Sequence, residues 1–257
     1  MIRRLLLLLP VVAMLSACVT NSNTPFQGDK VSMKQAAQDN VALAIQYLKS
    51  GNRDAAMQKV QKAIDEDPDN ANAYTAEALI YGASQENDKA KSAYKTAMRK
   101  APDDPEIQND YAVFLCQHGN TKESIGYFLG AANNPHYSTP GDALTNAGLC
   151  ALKIPDAAAA EQYFRKALQV NPNLLEPMAQ LAEINYARKN YLAARAFIER
   201  FDYLAPGSRP DVLLLGVNNE RALGDQQRAT DYAKQLMHLY PTSDQAAQLQ
   251  QGGTPHG

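Results

Sequence analysis

The sequence predicts an all-α fold, a right-handed superhelical solenoid of about six helix–turn–helix repeats. Three observations carry this prediction. Prolines recur 34 residues apart, from Pro68 to Pro102 and from Pro172 to Pro206. Small residues recur at two fixed positions of the first five repeats, and glycine-containing turns separate the two apolar segments within several repeats.

The residue types explain each part of the repeat. The small residues let the first helix (A) and the second helix (B) of a repeat approach closely, while bulky residues such as Tyr81 and Tyr94 fill the remaining space. A proline ends helix B because it lacks an N–H and restricts the residue before it. The A-to-B turns carry Gly51-Asn52, Gly119-Asn120 and Gly224-Asp225. The small pairs are Ala44 and Ala56, Ala78 and Ala90, Ala112 and Ser124, Gly148 and Ala160, and Ala182 and Ala194.

A 34-residue helix–turn–helix period is that of tetratricopeptide repeats, which bury their apolar faces only by stacking. A helical bundle with accidental periodicity is the alternative. We predict a repeat domain over 34–251, followed by a disordered tail over 252–257. Within the domain, 244–251 is expected to form a capping helix. The predicted repeats are 37–70, 71–104, 105–138, 141–174, 175–208 and 210–243.

The connection between the third and fourth repeats is irregular. Residues 133–142 contain two prolines and two residues beyond the regular spacing, and Asp142 is expected to cap the next helix. This segment predicts a kink or a boundary between two groups of three repeats.

The N-terminus has the features of a lipoprotein signal peptide over 1–17. Arg3 and Arg4 precede the apolar stretch 5–15, which is too short to span a bilayer. The stretch ends in a Leu-Ser-Ala-Cys motif, so Cys18 is the predicted lipidation site. An ordinary signal peptide with a chance cysteine is the alternative.

The residues after the lipidation site are polar and rich in turn formers, so 18–33 is predicted to be a flexible, lipidated tether. Val19 stands where an aspartate would favour retention in the inner membrane, so the periplasmic face of the outer membrane is the expected location. The covalent lipid is the only non-protein group expected, since no cofactor is predicted.

Two further cysteines lie on the A helices of consecutive repeats. Cys116 and Cys150 are therefore expected to be neighbours, and an oxidising periplasm would favour a disulfide between them. Two independent buried thiols are the alternative.

Composition and motifs argue against an enzyme, a metal site or a nucleic-acid partner. The chain has 25 basic and 27 acidic residues, so no excess of positive charge is available for nucleic acid. The four histidines are scattered, and no CxxC, phosphate loop or nucleophile elbow occurs. We therefore predict no catalytic or metal-binding residues.

A partner-binding groove is expected on the A helices, which line the concave side of such solenoids. Its apolar residues suit an amphipathic helix or an apolar strand of a partner. A capping or tether segment, or partial burial by neighbouring helices, would account for the same pattern. The predicted groove residues are Val41, Ile45, Leu48, Thr75, Leu79, Asn109 and Val113.

Several segments resemble one family more closely than they resemble generic repeats. Residues 109–116 (NDYAVFLC), 135–137 (PHY), 146–150 (NAGLC) and 191–195 (YLAAR) are similar to the PilF/PilW type IV pilus biogenesis lipoproteins. Both internal cysteines fall in the family's places, which supports their pairing.

The resemblance implies a pilotin-like role at the outer membrane. The partner would be the secretin, the pilus exit channel, or another pilus assembly protein, and a capped solenoid is expected to be a monomer. The alternatives are stabilisation of the pilus fibre, a scaffold for another envelope assembly machine, and a periplasmic hydrolase or its regulator.

Overall fold

The computed structural model describes residues 27–154 and 157–252, which form thirteen helices and no strand. The helices are α1 (Gln27–Lys49), α2 (Arg53–Glu66), α3 (Ala71–Ala83), α4 (Asn87–Lys100), α5 (Pro105–Gln117), α6 (Thr121–Asn133), α7 (Pro140–Ala151), α8 (Ala157–Val170), α9 (Leu175–Ala187), α10 (Tyr191–Leu204), α11 (Pro210–Leu223), α12 (Gln226–Leu239) and α13 (Asp244–Gly252). No helix of these residues is long and apolar enough to cross a membrane.

The helices pair as six successive hairpins, and this confirms the predicted solenoid. Each odd-numbered helix from α1 to α11 packs most extensively against the even-numbered helix that follows it. The odd-numbered helices α1, α3, α5 and α7 also contact one another in series, as do α9 and α11. The A helices therefore form a face of their own, and the predicted groove lies on it.

The small residues are buried where the two helices of each hairpin touch. Gly148 shows why they must be small, because a Cβ atom there would lie 2.5 Å from Cε1 of Phe164. Ser124 takes the place of an alanine and satisfies its hydroxyl by donating to the Ala112 carbonyl at 2.8 Å. The two helices therefore pack closely even though this repeat has a polar residue at the small position.

Among the described residues, five of the six hairpin turns contain a residue in the left-handed backbone conformation. Gly51, Gly119 and Gly224 adopt φ values of 80°, 80° and 82°, which glycine reaches without steric cost. Gln85 and Lys189 occupy the same conformation in two other hairpins, with φ values of 61° and 63°. These two turns form without the glycine that marks the others.

Two predictions at helix starts are wrong. Helix α1 begins at Gln27, so residues 27–33 belong to a helix and not to the tether. The prediction rested on polarity, which indicates exposure but does not exclude a helix, and no proline interrupts this segment. Asp142 lies in the first turn of α7, whose N-cap is Thr139. Pro140 accounts for this earlier start, since its fixed φ suits the first helical position.

The irregular connection is packed and is not a loose boundary. Tyr137 is buried against Ala131 of α6 and Ala143 of α7, and these two helices are in extensive contact. Cys116 of α5 and Cys150 of α7 form a disulfide, with their Cα atoms 5.9 Å apart. The third and fourth hairpins are thus joined both by packing and covalently.

The last helix covers the end of the core. Ala246 and Leu249 of α13 pack against Leu213, Val217 and Leu236. The segment predicted to cap the solenoid therefore has apolar contacts that hold it in place. The predicted signal peptide, Cys18 with the tether as far as residue 26, and residues 253–257 of the tail lie outside the described residues.

Candidate partner-binding groove

The first part of the predicted groove lies on α1. Val41, Ile45 and Leu48 are half-buried and pack against the core formed by α1, α2 and α3. Each of these side chains keeps part of its surface exposed. Partial burial by neighbouring helices therefore accounts for part of this apolar pattern.

Thr75 is not available to a partner. Its side chain on α3 is buried, and its hydroxyl donates to the Ala71 carbonyl at 3.2 Å. The prediction that this residue lines the groove is wrong, because α3 packs between α1 and α5 and turns this position inward.

Leu79 and Val113 lie together at an open site. They line a cavity of about 320 Å³ between α3 and α5, with Tyr94 of α4 also contributing. Gly82 lies on the same wall, and a Cβ atom added there would meet nothing within 4 Å. The remaining lining residues are Ala78, Ala83, Asp110, Phe114, Gln117 and His118.

Asp110 gives this apolar cavity one strongly polar group. Burial raises the pKa of its carboxyl to about 6, and the nearby Glu106 carboxylate adds to the rise. The side chain of Asn109 hydrogen-bonds to Asp110 and accepts in turn from Asn146 of α7 at 3.4 Å. Asn109 does not line this cavity, and its contact with a partner stays a prediction.

Asp110 was not among the predicted groove residues, although the segment that contains it carries the family resemblance. Two cavities near the C-terminus were not predicted either. One of about 340 Å³ lies between α9, α11 and α13, and one of about 920 Å³ lies between α10 and α12. Extending the repeat positions to the fifth unit would have placed Ala179, Glu183 and Tyr186 at the first of these.

The described residues contain no group of three or more histidine, cysteine, aspartate or glutamate side chains placed to hold a metal ion. The geometry at the groove is that of a surface with apolar walls and one carboxyl. Such a surface suits a protein segment that presents apolar side chains.

Comparison with known families identifies three matches to tetratricopeptide-repeat models, over residues 47–109, 141–174 and 212–243. The type IV pilus assembly protein PilF of Pseudomonas aeruginosa (strain PAO1) is 29% identical over 230 residues, covering 89% of this chain and 90% of PilF.

Two solved structures are similar over most of the chain. The structure of Pseudomonas aeruginosa PilF has a TM-score of 0.75 and 27% identity, covering 86% of this chain and 99% of that one. The structure of PilW, described as a widely conserved type IV pilus biogenesis factor, has a TM-score of 0.72 and 30% identity, covering 84% of this chain and 99% of that one. The chain therefore belongs to the PilF/PilW family of tetratricopeptide-repeat proteins of type IV pilus biogenesis.

Proposed function

We propose that this protein is an outer-membrane lipoprotein that acts as a pilotin for the type IV pilus secretin. Lipid on Cys18 would hold the solenoid at the periplasmic face of the membrane, and the A-helix groove would bind a secretin segment. The tether would keep the bound subunit at a high effective concentration near its site of assembly. The role is that of a binding scaffold, without catalysis.

The observation that carries this proposal is the open cavity between α3 and α5. Leu79 and Val113 meet there on a face formed by successive A helices, and Gly82 leaves the wall open. The aliphatic part of a partner side chain would remove these surfaces from water, and each Å² so buried contributes about 25 cal/mol before the costs of association. Membership of a pilus biogenesis family makes a pilus assembly protein the natural occupant.

The second candidate is stabilisation of the pilus fibre without a direct secretin role. The family relationship supports it equally, because the similar proteins are described by pilus assembly and biogenesis as a whole. A scaffold for another envelope machine has only the repeat fold in its favour.

The test begins with a strain that lacks the gene. Heat-resistant secretin multimers in purified outer membranes should be lost and should return with the wild-type gene. Multimers that persist in the correct membrane without the protein would refute the pilotin role and favour fibre stabilisation.

Complementation with variants then separates the anchor from the groove. Cys18→Ser should release the protein from the outer membrane, and Leu79→Asp should leave it anchored but unable to restore multimers. Leu192→Asp is the matched control, since Leu192 is 71% exposed on the B helix α10, away from the groove. Equal multimer levels with Leu79→Asp and Leu192→Asp, at equal protein levels, would remove the groove from the mechanism.

A further inference from the structure

The cavity between α3 and α5 contains a carboxyl with no cation to pair with. No lysine, arginine or histidine nitrogen among the described residues lies within salt-bridge distance of Asp110. Its hydrogen-bond partner Asn109 is neutral. The partly buried Glu161, by contrast, is paired with Arg188. No cation among the described residues therefore compensates the charge of Asp110.

The surroundings of Asp110 strengthen its negative potential. Glu106 lies on the same helix and Asp104 is the N-cap of that helix; both act on Asp110 electrostatically, and Tyr94 faces it from α4. His118 also lines the cavity, at the other end of the α5 wall, with its Nδ1 2.7 Å from the Phe114 carbonyl oxygen. A carboxylate in partly apolar surroundings attracts a cation more strongly than one in water.

Most of the cavity wall is apolar, and the polar residues Gln117 and His118 lie at the end away from Asp110. Leu79, Val113 and Phe114 line it together with Asp110, and Phe114 is almost completely buried. Lysine and arginine side chains carry an aliphatic stem that packs on apolar surface and a charged end that reaches a polar partner. The cavity is complementary to such a side chain in both parts.

We propose that this cavity receives one lysine or arginine side chain of a protein partner, with the stem packed on Leu79, Val113 and Phe114 and the cation paired with Asp110. This proposal rests on the groove being the binding surface in the proposed function, and it adds the chemical class of the anchoring residue. The partner segment would thus combine apolar residues with one basic residue.

The experiment uses a probe that does not depend on the identity of the natural partner. A phage library of random 12-residue peptides is panned on the wild-type chain purified in detergent. The peptides are eluted, sequenced, and compared with a selection on Gly82→Leu, in which the added side chain fills open space in the cavity. Wild-type selection should enrich peptides with one basic residue, and Gly82→Leu should not.

A selected peptide and its norleucine counterpart then complete a double-mutant cycle with Asp110→Asn. Replacing the basic residue should weaken binding to the wild type about tenfold in fluorescence anisotropy, the size expected of a hydrogen bond to a charged group. The same replacement should have no effect on binding to Asp110→Asn. Asp65→Asn, a change at an exposed acid of α2, is the matched control and should behave as wild type.

Enrichment of purely apolar peptides, or equal losses on Asp110→Asn and on wild type, would overturn the proposal. Melting curves of Asp110→Asn and Gly82→Leu show whether each variant is folded. The secretin assay can fail while this cycle succeeds, so the two proposals are tested separately.

Discussion

The close approach of α7 and α8 at Gly148 makes a sharp prediction about a single methyl group. In Gly148→Ala the new Cβ would lie 2.5, 2.7 and 2.8 Å from three ring atoms of Phe164. Carbon atoms in contact prefer about 3.5–4.0 Å, so the ring or the helix must move by roughly 1 Å. Phe164 has no exposed surface and packs against Leu181 and Ile184, so it has little room to move.

The size of the effect follows from two opposing terms. Overpacking a buried contact costs about 1–3 kcal/mol, and we take the upper end because the ring is enclosed. Alanine is better than glycine in a helix by about 1 kcal/mol. The net expectation for Gly148→Ala is a loss of about 2 kcal/mol in the free energy of unfolding, which lowers the melting temperature by about 4–8 °C.

Gly126 supplies the matched control. It is exposed on α6, and a Cβ atom there would meet nothing within 4 Å. Gly126→Ala should therefore gain helix propensity alone, about 0.5–1 kcal/mol. The same substitution is expected to have opposite signs at the two positions.

Thermal and urea unfolding followed by far-UV circular dichroism, with the disulfide intact, measures both variants. Adding Phe164→Leu to Gly148→Ala should cost less than the sum of the two single changes, because the smaller side chain makes room for the methyl. A Gly148→Ala protein as stable as Gly126→Ala would refute the close-packing argument for the small positions.

Three further predictions concern cross-links and charges. Replacing Cys116 and Cys150 by serine opens a cross-link across a sequence separation of 34, and the loop-entropy model gives a loss of about 4 kcal/mol; reductant should lower the melting temperature of the wild type but not of the variant. Arg195→Ala strands Glu220, which is 1% exposed and paired with it, so urea unfolding should show a loss of about 3–5 kcal/mol that Glu220→Gln partly restores. Burial raises the pKa of Asp110 to about 6, above its unfolded value near 3.9, so ionisation of this carboxyl opposes folding fully above pH 6 and not below about pH 4. Asp110→Asn should therefore raise the free energy of unfolding by about 2 kcal/mol at pH 8 and leave it unchanged at pH 3.5. Equal changes in the free energy of unfolding at both pH values would contradict this.

Periodicity predicted the fold well because the constraint at each repeat position is local. A small residue at a fixed position, or a proline after helix B, has the same effect in every unit, and the helix pairs match the predicted units closely. The start of α1 was missed because polarity reports exposure and not backbone conformation. The left-handed turn at Gln85 could not be predicted either, because the residue there is not glycine.

The groove was predicted less well than the fold. The position of a residue in the repeat predicts which side of the helix it lies on, but not what fraction of its side chain stays exposed after the helices pack. Leu79 and Val113 keep part of their surface exposed because they line a cavity, where Gly82 has no side chain to fill the space. Thr75 has a groove position in the repeat and is nevertheless buried. Asp110 could not be singled out from the sequence, because its unusual property comes from burial without a cation, which depends on three helices at once.

One helix connects the two most distinctive features of the molecule. Helix α5 forms one wall of the cavity through Val113 and Phe114, and it also carries Cys116, the start of the covalent link to α7. Asn109 on the same helix is bonded to Asn146 of α7, so two contacts fix α5 from the side away from the cavity. Among the described residues, no hydrogen bond or disulfide joins the opposite wall, α3, to α5, and three of the four α3 residues that line the cavity are small: Ala78, Gly82 and Ala83. A binding site between two repeats needs one wall that holds its position and one that leaves room for the ligand. The junction of the second and third repeats has both, because the disulfide joins the third repeat to the fourth and holds α5, while the small residues of α3 leave room.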